Sequence, residues 1–116
     1  MCIFCKIINK EMDATIVYED NDVIAILDVN PLTKGHTLVI PKKHFKNILD
    51  TPPKVFEKVM VKAQEIAKQY IDTYNMEGFN LIVNNNSVAH QAVDHLHVHI
   101  IPRYDRSEIN YFSRAK

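Results

Sequence analysis

Only two cysteines occur in this 116-residue chain, Cys2 and Cys5, too few and too close together to build a disulfide framework. Charge of one sign is not in excess either: fourteen basic residues balance fourteen acidic ones. No net field therefore draws the chain to nucleic acid or to an anionic membrane surface. No apolar run approaches the length that spans a bilayer, and the first residues lack the charged segment and long apolar stretch of a secretory signal. The expected location is the cytoplasm, with neither nucleic acid nor membrane as partner. Repeats, linkers and low-complexity stretches are missing too, which leaves a single domain over residues 1–116. At 47% hydrophobic and 24% charged, the composition is that of an ordinary globule. A chain of this length buries about two-thirds of its unfolded surface, enough for a sizeable core.

What is present is a set of short β-rich runs around one long helical pattern. Residues 3–9 suit a short helical turn. Residues 15–19 and 23–27 are rich in β-branched side chains and flank the turn cluster Asp20, Asn21 and Asp22, which predicts a hairpin. Asn30, Pro31 and Gly35 punctuate a loop; residues 37–40 read as a third strand, stopped by Pro41. Thr51 is the expected N-cap of a helix, with Pro52 at its first position. From Val55 to Tyr74, apolar residues recur at three- and four-residue spacing, with Lys54, Lys58, Lys62, Glu65 and Lys68 on the other side. That pattern predicts one amphipathic helix of about twenty residues. Residues 79–83 read as a fourth strand and 84–88 as a polar loop, while 104–116 carry no clear pattern. The expected fold class is α+β: an antiparallel five-stranded sheet with one long helix and a short N-terminal helix.

The fifth strand is the informative one. His95, His97 and His99 alternate with Leu96, Val98 and Ile100 before an apolar Ile101. Strict alternation predicts a half-buried strand with the histidines on one face, their neighbours roughly 6.5–7 Å apart, and the long helix against the aliphatic face. One histidine is most often a tolerated polar residue. Three at period two, backed by an aliphatic wall, suit phosphate chemistry or metal. Neutral imidazole is a competent nucleophile near pH 7, and attack at phosphorus would give a covalent nucleotidyl-histidine for water to hydrolyse.

This pattern resembles the histidine triad family of nucleotide hydrolases and transferases. The resemblance extends to Asp28-Val29-Asn30-Pro31 through Gly35-His36-Thr37 and on to Pro41-Lys42-Lys43-His44. It continues at Asn84 and at His90-Gln91-Ala92-Val93-Asp94 just ahead of the triad. It implies His97 as the nucleophile on the α-phosphorus, His99 as a contact to phosphate oxygens, and His36 as support from the neighbouring strand. It also implies Asp28 on the ribose hydroxyls, and Asn84 and Gln91 near the phosphate and leaving group; His90, beside Gln91, joins them as a nucleotide-binding candidate of this chain's own. A carboxylate suits a vicinal diol because it can accept two hydrogen bonds. Two positions depart from the family: His90 stands where glycine is common, and Ala92 where serine or threonine is common. Without that hydroxyl, either His90 or Gln91 supplies the donor to the leaving group, or its activation is weaker; losing such a donor typically costs a few kcal/mol at the transition state.

Taken alone, Cys2-x-x-Cys5 reads as half a zinc site, a redox pair, a small apolar thiol pair or chance. A redox pair wants a βαβ context that does not follow, and zinc needs two further ligands. Some bacterial triad proteins, and the related galactose-1-phosphate uridylyltransferases, resemble this chain in pairing such a motif with two histidines. The resemblance thus implies a structural zinc held by Cys2, Cys5, His44 and His95, which would remove His95 from proton transfer. The expected activity is hydrolysis of nucleoside 5′-monophosphate derivatives, phosphoramidates or phosphoanhydrides, of purine type. The resemblance also implies a homodimer whose two sheets join, with the C-terminal tail reaching the partner's site. The rivals are a nucleotide-binding or interaction protein with vestigial catalysis, and a nucleotidyltransferase.

Overall fold

Five antiparallel strands carry the molecule. The computed structural model describes residues 2–106. Helix α1 (Ile3–Ile8) leads to a hairpin of β1 (Ile16–Glu19) and β2 (Val23–Leu27), followed by β3 (Thr37–Pro41). The long helix α2 (Pro53–Thr73) then crosses to β4 (Gly78–Ile82) and β5 (Val98–Arg103), and the sheet order is β1-β2-β3-β5-β4. The hairpin turn closes through Asp20, whose carboxylate accepts from the backbone N–H groups of Asp22 and Val23.

The period-two pleat splits the central strands between two cores. Val23, Ala25, Val39, Val98 and Ile100 meet Val59, Ala63, Ile66, Ala67 and Tyr70 of α2. Ile24, Ile26, Leu38 and Ile40 point the other way, onto Phe4 and Ile7 of α1. This double burial explains why β2 and β3 read as continuous apolar runs rather than alternating ones. A polar pair lies within the α2-facing core: the Thr37 and Tyr70 hydroxyls are 2.7 Å apart.

The hairpin, the long helix and the five-strand α+β plan agree with the sequence reading; two details do not. Thr51 does not cap α2. Its hydroxyl donates to the Asn47 carbonyl one turn back, closing a short 3₁₀ turn at Ile48–Asp50 that Asn47 and Asp50 cap reciprocally. The N-cap position belongs to Pro52, and α2 starts at Pro53. Two prolines have no N–H to satisfy, so the helix start needs less capping.

The second correction concerns the histidine run, of which only His99 lies in the strand, since β5 begins at Val98. The β3–β5 ladder ends at the Val39–Val98 pair. Beyond it, Pro41 has no N–H to offer, its carbonyl lies 2.8 Å from His95 Nε2, and the Leu96 N–H donates to Phe45 instead. The chain bends at residues 93–95 and joins the ladder only from Val98, and the rings converge: the His97 and His99 centroids are 4.9 Å apart.

Candidate active site and metal cluster

His36, His97 and His99 gather on the α1 side of the sheet, away from α2. His36 arrives there through a tight turn. Gly35 adopts φ +88°, and a Cβ on it would sit 3.0 Å from the Tyr74 ring, so both conformation and space call for glycine. The Thr33 hydroxyl ties the same turn to the Pro102 carbonyl at 2.7 Å.

Backbone groups of known polarity assign the ring protons. The Leu32 N–H donates to His36 Nδ1 at 3.1 Å, so in neutral His36 the proton is on Nε2. That nitrogen donates to His99 Nδ1 at 2.9 Å, which leaves His99 with its N–H on Nε2. His97 is the reverse case: its Nδ1 donates to the His95 carbonyl at 2.8 Å, so Nε2 keeps a free lone pair. Burial is the main cause that pushes all three histidines toward neutrality. For His99, with His97 and His36 as neighbouring imidazoles, the pKa falls to about 4. The site therefore offers one neutral nucleophilic nitrogen beside one N–H donor, a pairing suited to attack on a phosphate.

His97 and His99 open into a cavity of about 280 Å³ whose walls include Phe4, Ile7, Ile26, Asp28, Val29 and Ala92. Asp28, at the end of β2, uses one carboxylate oxygen to accept from the Asn30 N–H at 2.9 Å; the other lies 3.6 Å from His36 Nε2. Phe4 stands edge-on to His97, with ring centroids 5.0 Å apart. A second cavity, of about 350 Å³, is bounded by Leu32, Ile82, Asn84, His90, His99 and Ile101. A somewhat wider cleft of about 380 Å³ lies elsewhere, between the hairpin turn and α2. It holds no imidazole or thiol, and its Lys58 and Lys62 pair with Asp22 and Glu65 as solvated surface lysines do.

The structure thus brings together Asp28, His36, His97 and His99, and sets Asn84 and His90 on the other side of His99. Gln91 is different. Its carbonyl accepts from the Asn86 N–H and the Asn47 amide, while its own amide donates to the carbonyls of Lys46 and Val93. With every donor and both lone pairs engaged, it pins the loop ahead of the triad and presents no free group to a ligand. Phe4 and Asn47 were not foreseen. Phe4 sits in a short apolar helix that gives no functional signal, and Asn47, 3% exposed, meets Gln91 only through the fold.

Cys2, Cys5, His44 and His95 bring their ligand atoms within 4.8 Å of one another. Cys2 Sγ lies 3.4 Å from His95 Nδ1, and Cys5 Sγ lies 3.2 Å from His44 Nδ1 and 3.6 Å from His95 Nδ1. Tetrahedral zinc, with bonds of about 2.3 Å to sulfur and 2.0–2.1 Å to nitrogen, separates its ligands by comparable distances. His95 Nε2 donates to the Pro41 carbonyl, so Nδ1 faces the cluster as a lone pair, the outer hydrogen bond that an imidazole ligand needs. Burial and the neighbouring Cys2 push the Cys5 thiol up, a penalty that a bound cation would reverse. The donor set fits a four-ligand ion.

Comparisons with known proteins agree with this geometry. A family model for the HIT domain matches residues 9–106. The chain is 43% identical over 105 residues to "Adenylylsulfatase HINT3" of Arabidopsis thaliana, covering 90% of this chain and 53% of that protein. It is 38% identical over 104 residues to "Adenosine 5'-monophosphoramidase HNT1" of Saccharomyces cerevisiae, covering 90% of this chain and 63% of that one. A zinc-bound histidine triad family protein from Mycobacterium smegmatis superposes with a TM-score of 0.90 at 36% identity, covering 95% of this chain and 80% of that one. With a family model spanning most of its length and that family's histidines meeting at one cleft, the chain belongs to the HIT domain family.

Proposed function

We propose that the protein hydrolyses nucleoside 5′-monophosphate derivatives, phosphoramidates or phosphoanhydrides of a purine nucleoside. The single observation that carries this reading is the tautomer of His97, whose backbone-held Nδ1–H leaves Nε2 free at the edge of a cavity. The base and ribose lie in that cavity, between Phe4, Ile7 and Val29, with Asp28 accepting from the ribose hydroxyls. His97 Nε2 attacks the α-phosphorus and the P–X bond breaks; His99 Nε2–H donates to a phosphate oxygen. Water then cleaves the nucleotidyl-histidine. His36 holds His99 in the donor tautomer, and Asn84 binds at the phosphate or leaving group. The yeast and plant relatives named above act on adenosine phosphoramidate and adenylylsulfate by their names, which supports the same bond class here.

Zinc on Cys2, Cys5, His44 and His95 is structural in this reading: with four protein ligands it has no open position for substrate. The working location is the cytoplasm, where two thiols stay reduced. The partner is a second copy of the chain: among the described residues β4 is an edge strand, with Phe79 and Leu81 exposed on it. The tail proposed to reach the partner's site falls largely within 107–116, outside the described residues. Ala92, which lines the cavity without a hydroxyl, favours one second reading, nucleotide binding with little turnover. The test is a single-turnover reaction with adenosine 5′-phosphoramidate, read by intact mass. An adenylyl adduct on His97 and release of AMP are expected. Binding with neither adduct nor AMP would establish the second reading instead.

A further inference from the structure

Two cavities meet at His99, and no other residue borders both. The one that holds His97 has Asp28 and a mainly apolar wall. The other is bordered by His99 but not by His97, its remaining walls coming from Leu32, Ile82, Asn84, His90 and Ile101. In a displacement at phosphorus the nucleophile and the departing group stand roughly in line. With the nucleoside in the first cavity, the departing group enters the second. The polar side chains there, besides His99, are those of Asn84 and His90. An amide can hydrogen-bond a departing nitrogen but cannot give it a proton, whereas imidazole exchanges protons near neutral pH.

The neighbouring candidates are excluded by their own geometry. Ala92 has no donor, and the Gln91 amide is fully engaged by Lys46 and Val93. His90 is exposed and its ring has no hydrogen-bond partner among the described residues. It also holds a left-handed backbone, φ +69°, at the end of the 3₁₀ turn Ser87–Ala89. A side chain sits in this conformation against the usual preference for glycine.

The geometry points to His90 as the proton donor to the leaving group, in a subsite formed with Asn84, Leu32, Ile82 and Ile101. The inference rests on the hydrolytic reading above. For a phosphoramidate, the His97 Nε2–P bond forms while the P–N bond breaks. The departing nitrogen keeps that electron pair, takes the proton from the His90 imidazolium and leaves as an amine. In the second step the attacking water gives its proton to neutral His90, restoring the imidazolium, and the pair of the P–Nε2 bond returns to His97. Such a donor helps basic amines most and weakly basic phenolates least.

The experiment compares an adenosine 5′-phosphoramidate of an alkylamine with the 4-nitrophenyl ester of AMP in the wild type and in His90→Gly. Glycine adopts the left-handed backbone without strain, so this variant keeps the loop. The ratio of kcat/KM, ester over amidate, is expected to rise about 100-fold in the variant, within the range of general acid catalysis. Added imidazole is expected to restore part of the amidate rate, which a structural role for His90 would not predict. An unchanged ratio, whether both rates fall together or neither falls, overturns the assignment. Should the wild type form no His97 adduct with either substrate, the hydrolytic reading fails first and the inference with it.

Discussion

At the residue scale, chemically identical side chains are separated by what their second nitrogen touches. His97 donates from Nδ1 to a carbonyl and keeps Nε2 free; His99 accepts at Nδ1 and keeps an N–H. His97→Gly is therefore expected to abolish the adenylyl adduct and lower kcat by about 10³-fold or more with an unchanged circular dichroism spectrum, in line with losses on removing a nucleophile. The same burial that keeps the rings neutral sets a pH dependence. His36 and His99 titrate below the ordinary imidazole value, His99 at about 4. Between about pH 6.5 and 4 the unfolded chain binds these protons and the folded one does not, so unfolding free energy rises with pH across that window and falls on acidification. Urea midpoints at pH 7 and pH 4.5 measure the drop, which His99→Asn is expected to reduce. The histidine row was legible as chemistry because few other roles suit three imidazoles at that spacing, whereas Asp28 and the two cysteines gained theirs only from the family resemblance. The engagement of Gln91 was not legible, because its partners Asn47 and Lys46 are more than forty residues away in sequence.

At the element scale, the long helix was legible from period, and the hairpin from its β-branched runs and the turn cluster between them. Val59, Ala63, Ile66, Ala67 and Tyr70 form the buried stripe that their three- and four-residue spacing predicts. Ile66, 2% exposed, packs against the sheet. Ile66→Ala is expected to lower stability by about 2–5 kcal/mol in denaturant unfolding, the usual range for a buried aliphatic truncated in a close-packed core. Gly35→Ala is expected to destabilise as well, by about 1–3 kcal/mol, since the methyl meets the Tyr74 ring and the backbone is left-handed. Tyr74→Ala in the same chain relieves only the first effect, so the double variant reads the strain. The end of the β5 ladder was the illegible part. Alternation continues through His95, but a strand needs a partner with N–H groups to pair, and Pro41 ends that supply.

At the scale of the whole molecule, the cysteine–histidine cluster ties the first residues to the sheet. Cys2 and Cys5 lie at the start of α1, His44 follows β3, and His95 is two residues from His97. Phe4, between the two cysteines, stands edge-on to both His95 and His97. About one zinc per chain is expected by elemental analysis, and Cys5→Ser is expected to lose it. The Cys5→Ser melting temperature is expected to fall by about 10 °C or more, since structural zinc contributes directly to folding and each kcal/mol is worth several degrees in a domain this small. Composition and local pattern by themselves determined the α+β class and the strand and helix types, and they named the candidate donor residues. Those properties follow from apolar periodicity and side-chain chemistry, both local. Tertiary structure decided which nitrogen of each ring carries the proton and which keeps a lone pair. A backbone carbonyl sets His97 and His95, the Leu32 N–H sets His36, and His36 in turn sets His99; every residue carries such backbone groups, so sequence does not single them out.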